Sequence, residues 1–180
     1  ISGNQGHGTG LGYTMFTNAA CGVALDQEVV GVFYQVASGG AGNTGYRYCG
    51  PATRTAGTLL GNHTGYSFEC GFVSGTNPAT CNGNTLNFAL IRWNAGVQTT
   101  LVATFNLAGP TLAEGTTFRL VTRQVGANAN NKCYLGGTLI YDHTDTSPIG
   151  AGRIAFSDTQ SCGGIAPADI IWTYVKGRNL

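Results

Sequence analysis

The chain has 180 residues, of which 9% are charged, and its formal net charge at pH 7 is +1. The nine Lys and Arg residues are spread along the sequence and form no basic cluster, so we expect neither nucleic-acid binding nor binding to anionic membranes. No apolar run approaches the ~20 residues of a membrane-spanning helix, so we also expect no membrane insertion. The 29 glycines and the 10% of aromatic residues indicate a folded, neutral protein that is rich in turns.

The apolar residues occur in short alternating or continuous runs between Gly, Asn, Pro and Thr, which is the pattern of β-strands. The predicted strands are, in chain order, residues 12–17, 28–37, 45–50, 66–73, 85–94, 98–107, 116–125, 132–136, 138–144, 152–157 and 169–177. Gly136 and Gly137 separate two of them and favour a two-residue hairpin turn. Strands without intervening helices pair antiparallel, so we predict an all-β fold, a single antiparallel β-sandwich domain over residues 1–180. Residues 1–12 are the part that could instead form an extended arm.

Alternation along a strand assigns side chains to faces. Phe118 and Leu120 alternate with Arg119 and Arg123, so the two arginines are predicted to share one face. By the same alternation Glu69 lies on the face opposite the apolar residues of its strand. We therefore expect Glu69 to be exposed to solvent.

The cysteine pattern favours disulfides over metal binding. The six cysteines are Cys21, Cys49, Cys70, Cys81, Cys133 and Cys162, and they form no C-x-x-C pair. An even number in a glycine-rich β chain favours disulfides and an oxidising compartment, with buried free thiols as the alternative. Of the pairings that six cysteines allow, we single out Cys70–Cys81, which would close a short loop, and leave the others open.

The last sixty residues carry a recognisable order of motifs. The strand TTFRLVTR is followed by the hairpin CYLGGTLIY, the loop DHTDTSPIGAG, the strand RIAFS and the closing strand ADIIWTYV. This order, over about residues 112–177, resembles the C-terminal half of concanavalin A-like jelly-roll domains, the lectin/glucanase and laminin-G-like superfamily found in bacterial and phage surface proteins. The resemblance implies a jelly-roll sandwich and a choice among lectins, carbohydrate-binding modules, adhesins, virion proteins and retaining glucanases.

Catalytic residues are not evident. The glucanases of that superfamily carry the strand motif E-x-D-x-x-E, and the nearest string here, Asp26-Gln27-Glu28, lacks the second glutamate. Glycoside hydrolysis needs two carboxyl groups at a defined separation. The sequence pattern does not indicate which second acidic residue would lie near Glu69. We therefore predict that the chain is not an enzyme, with glycoside hydrolase as the third alternative.

Asp142 and Asp145 flank His143 at the end of a predicted strand, and carboxylate and imidazole are metal-ligand types. A Ca²⁺ loop needs more oxygen ligands than these supply, so the competing interpretation is that they terminate the strand and bond turn amides. Several jelly rolls of the superfamily hold a structural Ca²⁺ at the sandwich edge, and the resemblance adds Asp169 as a candidate ligand. We predict no cofactor, with structural Ca²⁺ at Asp142, Asp145 and Asp169 as the alternative.

Glycan binding requires an aromatic platform and polar partners for hydroxyl groups. Trp93 lies at a strand end between Arg92 and Asn94, and Tyr66 is a further aromatic residue in a neighbouring run. These four residues are the predicted glycan contacts, and packing in the core or at its rim is the competing role.

Two classes of function remain open. The first is a non-catalytic structural or surface domain of a virion or extracellular assembly, of the decoration, fibre or adhesin type. Its partners would be copies of itself or other surface proteins, with glycans as a second contact. The alternative is a lectin-like carbohydrate-binding module of a secreted protein. Both place the protein outside the cell, at a cell surface or on a virion. Because the chain begins at Ile1 rather than Met, we expect it to be processed, trimmed or cut from a longer protein.

Overall fold

The structure is a computed structural model that describes residues 12–17, 21–36, 46–57, 62–73, 85–108, 115–161 and 170–180. Residues 1–11, which include nearly all of the predicted arm, lie outside the described residues. Within the described ranges the chain forms eleven β-strands: β1 Gly12–Thr17, β2 Gln27–Val36, β3 Tyr46–Ala56, β4 Thr64–Val73, β5 Thr85–Asn94, β6 Val97–Ala108, β7 Thr117–Val125, β8 Asn128–Leu135, β9 Thr138–Asp145, β10 Arg153–Ser161 and β11 Ile170–Asn179. Among those residues there is no helix with the length and hydropathy of a membrane span.

The strands form two antiparallel sheets, which confirms the predicted all-β sandwich. One sheet has six strands in the order β1-β10-β3-β4-β5-β6, and the other has five in the order β11-β2-β7-β8-β9. Strands β3 to β6 are consecutive neighbours, as are β7 to β9. In contrast, β10 lies between β1 and β3, and β11 lies beside β2 at the edge of the other sheet. Each of the two C-terminal strands therefore pairs with strands from the N-terminal part of the chain.

The core between the sheets is built around aromatic rings. The ring centroid of Phe68 lies 5.9 Å from that of Phe88, 5.6 Å from that of Phe118 and 6.2 Å from that of Tyr141. These tilted and edge-on arrangements suit aromatic pairs, whose faces and edges carry opposite partial charge. The predicted alternation in β7 is confirmed, because Phe118 and Leu120 are buried in this core while Arg119 is on the other face.

The hairpin at Gly136 and Gly137 is also confirmed. The two residues connect β8 to β9 and have φ angles of 55° and 86°. A type I′ turn requires positive φ at both central residues, which glycine adopts without steric cost. The glycine pair therefore fixes the register in which Leu135 lies opposite Thr138.

Several strands are longer than the sequence pattern predicts, β3 and β8 among them. We predicted that the third strand ends at Gly50, before Pro51, but β3 continues to Ala56. Pro51 lies opposite Phe156 of β10, and pairing with strands on both sides of β3 outweighs the net ~1 kcal/mol of one ladder hydrogen bond. The eighth strand begins at Asn128 rather than at residue 132, and its first residues are polar, so the apolar pattern missed them.

The structure corrects the disulfide prediction. No disulfide forms at any of the four cysteines that the structure describes, Cys21, Cys49, Cys70 and Cys133. The predicted Cys70–Cys81 bridge is therefore wrong, and Cys81 and Cys162 themselves lie outside the described residues. Cys70 belongs to the apolar core between the sheets, where a thiol packs as a small hydrophobic group. Burial likewise raises the pKa of the Cys133 thiol well above its usual value.

Candidate functional site

Two of the predicted glycan contacts and one predicted metal ligand meet in a buried network at one end of the sandwich. The Tyr66 hydroxyl donates to Asp145 Oδ2 at 2.7 Å, and Arg92 Nη1 donates to Asp145 Oδ1 at 2.9 Å. The backbone N–H of Ser147 donates to the same oxygen at 3.0 Å, and that of Ile149 donates to the Tyr66 hydroxyl at 3.3 Å. The network therefore holds the segment after β9 against strands β4 and β5.

The network also determines the protonation of its members. Burial raises the pKa of Tyr66, and the hydrogen bond to Asp145 raises it further. Burial alone would also raise the pKa of Asp145, but hydrogen bonds from Tyr66 and Ser147 and the charge of Arg92 outweigh it. The pKa of Asp145 is therefore lowered, and Asp145 is an ionised acceptor between neutral and cationic donors at neutral pH.

The predicted metal ligands do not converge. Asp145 is buried, whereas Asp142 is exposed and forms an ion pair with Lys132, with Nζ and Oδ2 3.2 Å apart. Asp169 lies outside the described residues. In the described part of the chain, no group of three or more His, Cys, Asp or Glu side chains could hold a metal ion. The calcium site stays a prediction.

Trp93 lies on the outer face of the six-stranded sheet but is only 5% exposed. Its ring centroid is 4.3 Å from that of His63, and its indole Nε1 donates to Ser67 Oγ at 3.3 Å. It also packs with Ile91 in a small apolar cluster. A ring buried in this way presents no platform to a sugar, and of the predicted contacts only Asn94, the last residue of β5, is exposed.

Glu69 was predicted to face solvent, and this is wrong. It does lie on the face opposite the core residues of β4, but it is only 2% exposed. Ser67 Oγ donates to Glu69 Oε1 at 2.7 Å, and Ser157 Oγ donates to the same oxygen at 2.9 Å. Alternation identifies the face of a strand, but it does not show whether that face is covered.

The outer face of the five-stranded sheet differs from that of the six-stranded sheet because it carries many charged side chains. Sequence reasoning missed this surface. It carries five of the nine cationic residues of the chain, namely Arg119, Arg123, Lys132, Lys176 and Arg178. Two carboxylates, Glu28 and Asp142, lie among them, so the described residues of this surface have a net charge of +3. We call it the charged face. The prediction that the cations form no cluster is wrong in three dimensions.

Strand pairing arranges the charged face in rows. One row runs across the sheet through Arg178, Glu28, Val121, Lys132 and Asp142. The next row runs through Lys176, Val30, Arg119 and Tyr134. Because neighbouring strands lie about 4.8 Å apart, consecutive side chains of a row also lie about 4.8 Å apart where they leave the sheet.

Glu28 connects three strands of this face. Arg178 Nε donates to Glu28 Oε2 at 2.7 Å, and Arg119 Nε donates to Oε1. Burial raises the pKa of Glu28, but the hydrogen bonds and charges of the two arginines lower it by more. One carboxylate is thus shared by two guanidinium groups, which holds both in place and leaves this part of the face cationic.

The remaining groups of the face are partly ordered by contacts with each other. The Arg119 guanidinium lies 4.7 Å from the ring centroid of Tyr134, in a cation–π contact. Asn130 Nδ2 donates to Asp142 Oδ1 at 2.7 Å.

Between β2 and β11 a cavity of about 320 Å³ is lined by Glu28, Val30, Lys176, Gly177 and Arg178. The face therefore combines fixed donors and acceptors with one concave feature.

Comparison with known proteins identifies the fold. No protein-family model matches this sequence, and no curated protein does either. A legume lectin-like domain from Entamoeba histolytica is similar in structure, with a TM-score of 0.53 over 98% of this chain and 83% of that chain, at 7% identity. The fold is concanavalin A-like. This confirms the fold that the resemblance of the C-terminal motifs implied.

Two further solved structures are similar with lower scores. The CBM2 module of the evolved Dit of Lactobacillus casei BL23 phage J-1 has a TM-score of 0.46 at 11% identity and covers 96% of this chain and 67% of that chain. A xylan β-1,4-xylosidase from Bacillus halodurans C-125 has a TM-score of 0.45 at 14% identity and covers 87% of this chain and 28% of that chain. At these identities the likeness concerns the fold alone, and the function has to be argued from the residues.

Proposed function

We propose that this domain is a non-catalytic, lectin-like surface domain that contacts glycans through its charged face, outside the cell or on a virion. The observation that carries the proposal is the ordered set of donors and acceptors on that face, in which the largely buried carboxylate of Glu28 is shared by the partly exposed Arg119 and the exposed Arg178. Sugar hydroxyls need both donors and acceptors at fixed positions. Assembly with copies of itself or with other surface proteins remains a prediction from the sequence.

The protonation of the two carboxylates on this face supports a non-catalytic role. A glycosidase needs a general acid whose pKa is raised toward neutral pH. The pKa of Glu28 is lowered by its two arginine partners in spite of burial. The pKa of Asp142 is lowered by hydrogen bonds from Asn130 and Lys132. Neither carboxylate of the charged face is therefore suited to protonate a leaving group.

Affinity electrophoresis against a panel of neutral and acidic polysaccharides tests the proposal, with reducing ends assayed in the same samples. We expect retardation by at least one polysaccharide without release of reducing ends. The double variant Arg123→Ala with Tyr134→Ala should weaken that retardation, because both side chains belong to the charged face. As a control, Val97→Ala changes an exposed residue of the other sheet and should behave as the wild type. Absence of retardation by every polysaccharide would refute glycan contact, and release of reducing ends would refute the non-catalytic role.

A further inference from the structure

The cavity between β2 and β11 differs from the rest of the charged face because its cations are only partly compensated. Lys176 and Arg178 are both exposed and lie two residues apart on one face of β11. Arg178 uses Nε to bond Glu28, which leaves its two Nη groups available as donors. Within the described residues, Lys176 forms no ion pair. The carboxylate of Glu28 is also shared with Arg119, which lies outside the lining.

We infer that this cavity binds the acidic sugar unit of a polyanionic glycan, an inference that rests on the proposed function and names its ligand class. The carboxylate of a uronic acid would accept hydrogen bonds from the Nη groups of Arg178 and from the ammonium group of Lys176. Guanidinium groups match planar carboxylates in this way, and charge-assisted hydrogen bonds are the strong ones. Binding would place an anion in a cavity whose lining carries two cations and one carboxylate.

The other lining groups suit the rest of a sugar ring. Each oxygen of Glu28 accepts from one arginine and has a further lone pair for a sugar hydroxyl. Val30 contributes an apolar wall for the C–H groups of the ring. The volume of about 320 Å³ is at the small end of the ~300–1,000 Å³ of ligand sites, which fits one unit of a chain rather than a large ligand.

Nucleic acid fits this surface less well. Single-stranded nucleic acid is bound through aromatic platforms on which bases stack, and the cavity lining has no aromatic residue. On the charged face, Tyr134 is already in contact with the Arg119 guanidinium. Duplex binding depends on many phosphate contacts, whereas the face carries five cations against two carboxylates. A glycan of moderate charge density is the better match.

The lysine content of the chain gives a direct test. Lys132 and Lys176 are its two lysines, both lie on the charged face, and of the two only Lys176 lines the cavity. Reductive methylation with ¹³C-formaldehyde gives each a dimethyl-lysine NMR signal and keeps its charge. We expect trigalacturonate to shift the Lys176 signal at concentrations that leave the Lys132 signal unmoved. Neutral β-1,4-galactotriose should need at least tenfold higher concentrations for the same shift.

Calorimetry with unmethylated protein supplies the matched control. Lys176→Met should weaken trigalacturonate binding at least tenfold, and Lys132→Met less than twofold, with unchanged circular dichroism in both. Equal binding of the neutral and acidic trisaccharides at Lys176 would overturn the acidic preference but leave the proposed function intact. A shift at Lys132 alone, or equal effects of the two variants, would overturn the assignment to the cavity. Tighter binding of oligothymidylate than of trigalacturonate would replace the glycan by nucleic acid.

The two proposals fail differently. If trigalacturonate shifts neither signal but a polysaccharide retards the protein in electrophoresis, this inference is wrong and the proposed function stands. If no saccharide acts in either experiment, both are wrong.

Discussion

Asp145 stabilises the sandwich while its carboxylate is ionised, because every donor around it is directed at that charge. Tyr66, Arg92 and the Ser147 amide all donate to it, and its pKa in the folded protein is lowered. A group whose folded pKa is depressed contributes in full above its unfolded pKa, about 3.9 for Asp, and the contribution is lost as pH falls through the folded pKa. The network is therefore a source of acid sensitivity.

We predict that Asp145→Asn lowers the free energy of unfolding at pH 7 by about 2 kcal/mol, the usual range for hydrogen bonds to a charged group. The variant should also lose less stability than the wild type between about pH 4 and pH 2, because the titrating group is gone. Urea denaturation at a series of pH values measures both effects. Asp142→Asn is the control, since that carboxylate is exposed and its ion pair lies at the surface. Identical pH dependence in wild type and Asp145→Asn would contradict the prediction.

Arg54 is a second residue on which several segments depend. It is 1% exposed, and its guanidinium donates to the carbonyls of Leu25 and Ile149 and to Gln124 Oε1, at 2.8, 2.9 and 2.9 Å. These acceptors belong to three separate segments, and a lysine ammonium cannot reach all of them in one plane. Arg54→Lys should therefore cost about 3 kcal/mol, because three part-buried acceptors lose their donors. The exposed control Arg123→Lys should change stability by less than about 0.5 kcal/mol. Unfolding in guanidinium chloride measures both changes, and equal denaturation midpoints for the two variants would contradict the prediction.

At the scale of elements, the close approach of β3 to β4 depends on a glycine. A Cβ atom on Gly50 would lie 1.7 Å from the carbonyl oxygen of Phe68. That contact is with backbone, so one of the two strands would have to move. We predict that Gly50→Ala destabilises the protein by about 3 kcal/mol, at the upper end of overpacking costs. A Cβ on Gly150 has no neighbouring atom within 4 Å, so Gly150→Ala should unfold within a few degrees of the wild type in a thermal scan. Equal melting temperatures for the two variants would show that β3 can shift freely.

The sequence predicts strands well where their side chains follow the two-residue period. The bounds of β5, Thr85–Asn94, agree with the prediction, and so does the hairpin at Gly136. The pattern failed at the start of β8 because polar residues point inward there: Asn131 is buried and its Oδ1 accepts from Thr122 Oγ1 at 2.7 Å. It also failed at β3, because Pro51 pairs with β10 and the residues before and after it pair with β4, which overrides a local preference.

The site was harder to predict than the fold, for a physical reason. Tyr66 and Arg92 were predicted as glycan contacts, but in the structure both bind Asp145, which comes from the other sheet. Burial of Trp93 and Glu69 depends on what covers the six-stranded sheet, and alternation holds no information on that. Only non-local pairing brings β11 next to β2 and so places Lys176 and Arg178 on the face that already carries Arg119.

At the scale of the whole molecule, charge is distributed unevenly between the charged face and the rest of the chain, although the net charge is small. The chain carries +1 in total, while the charged face carries +3, so the remaining residues together carry −2. Electrostatic interactions in physiological salt act over about 8 Å, which covers neighbouring strands of one face but not the opposite side of the sandwich. An approaching polyanion therefore responds to the charged face rather than to the near-neutral average.

This uneven distribution of charge predicts opposite effects of two substitutions on association with polygalacturonate. Arg123→Glu lowers the charge of the face from +3 to +1, whereas Asp142→Asn raises it from +3 to +4. Neither residue lines the cavity between β2 and β11, so the changes act mainly through the field of the face and the rate of encounter. In stopped-flow measurements at low salt we expect slower association for Arg123→Glu and faster association for Asp142→Asn. Both differences should shrink as NaCl is raised toward 0.5 M, because the screening length falls toward a few ångströms (about 3 Å at 1 M). Rates that change in the same direction, or that do not depend on salt, would show that the face does not guide the ligand electrostatically.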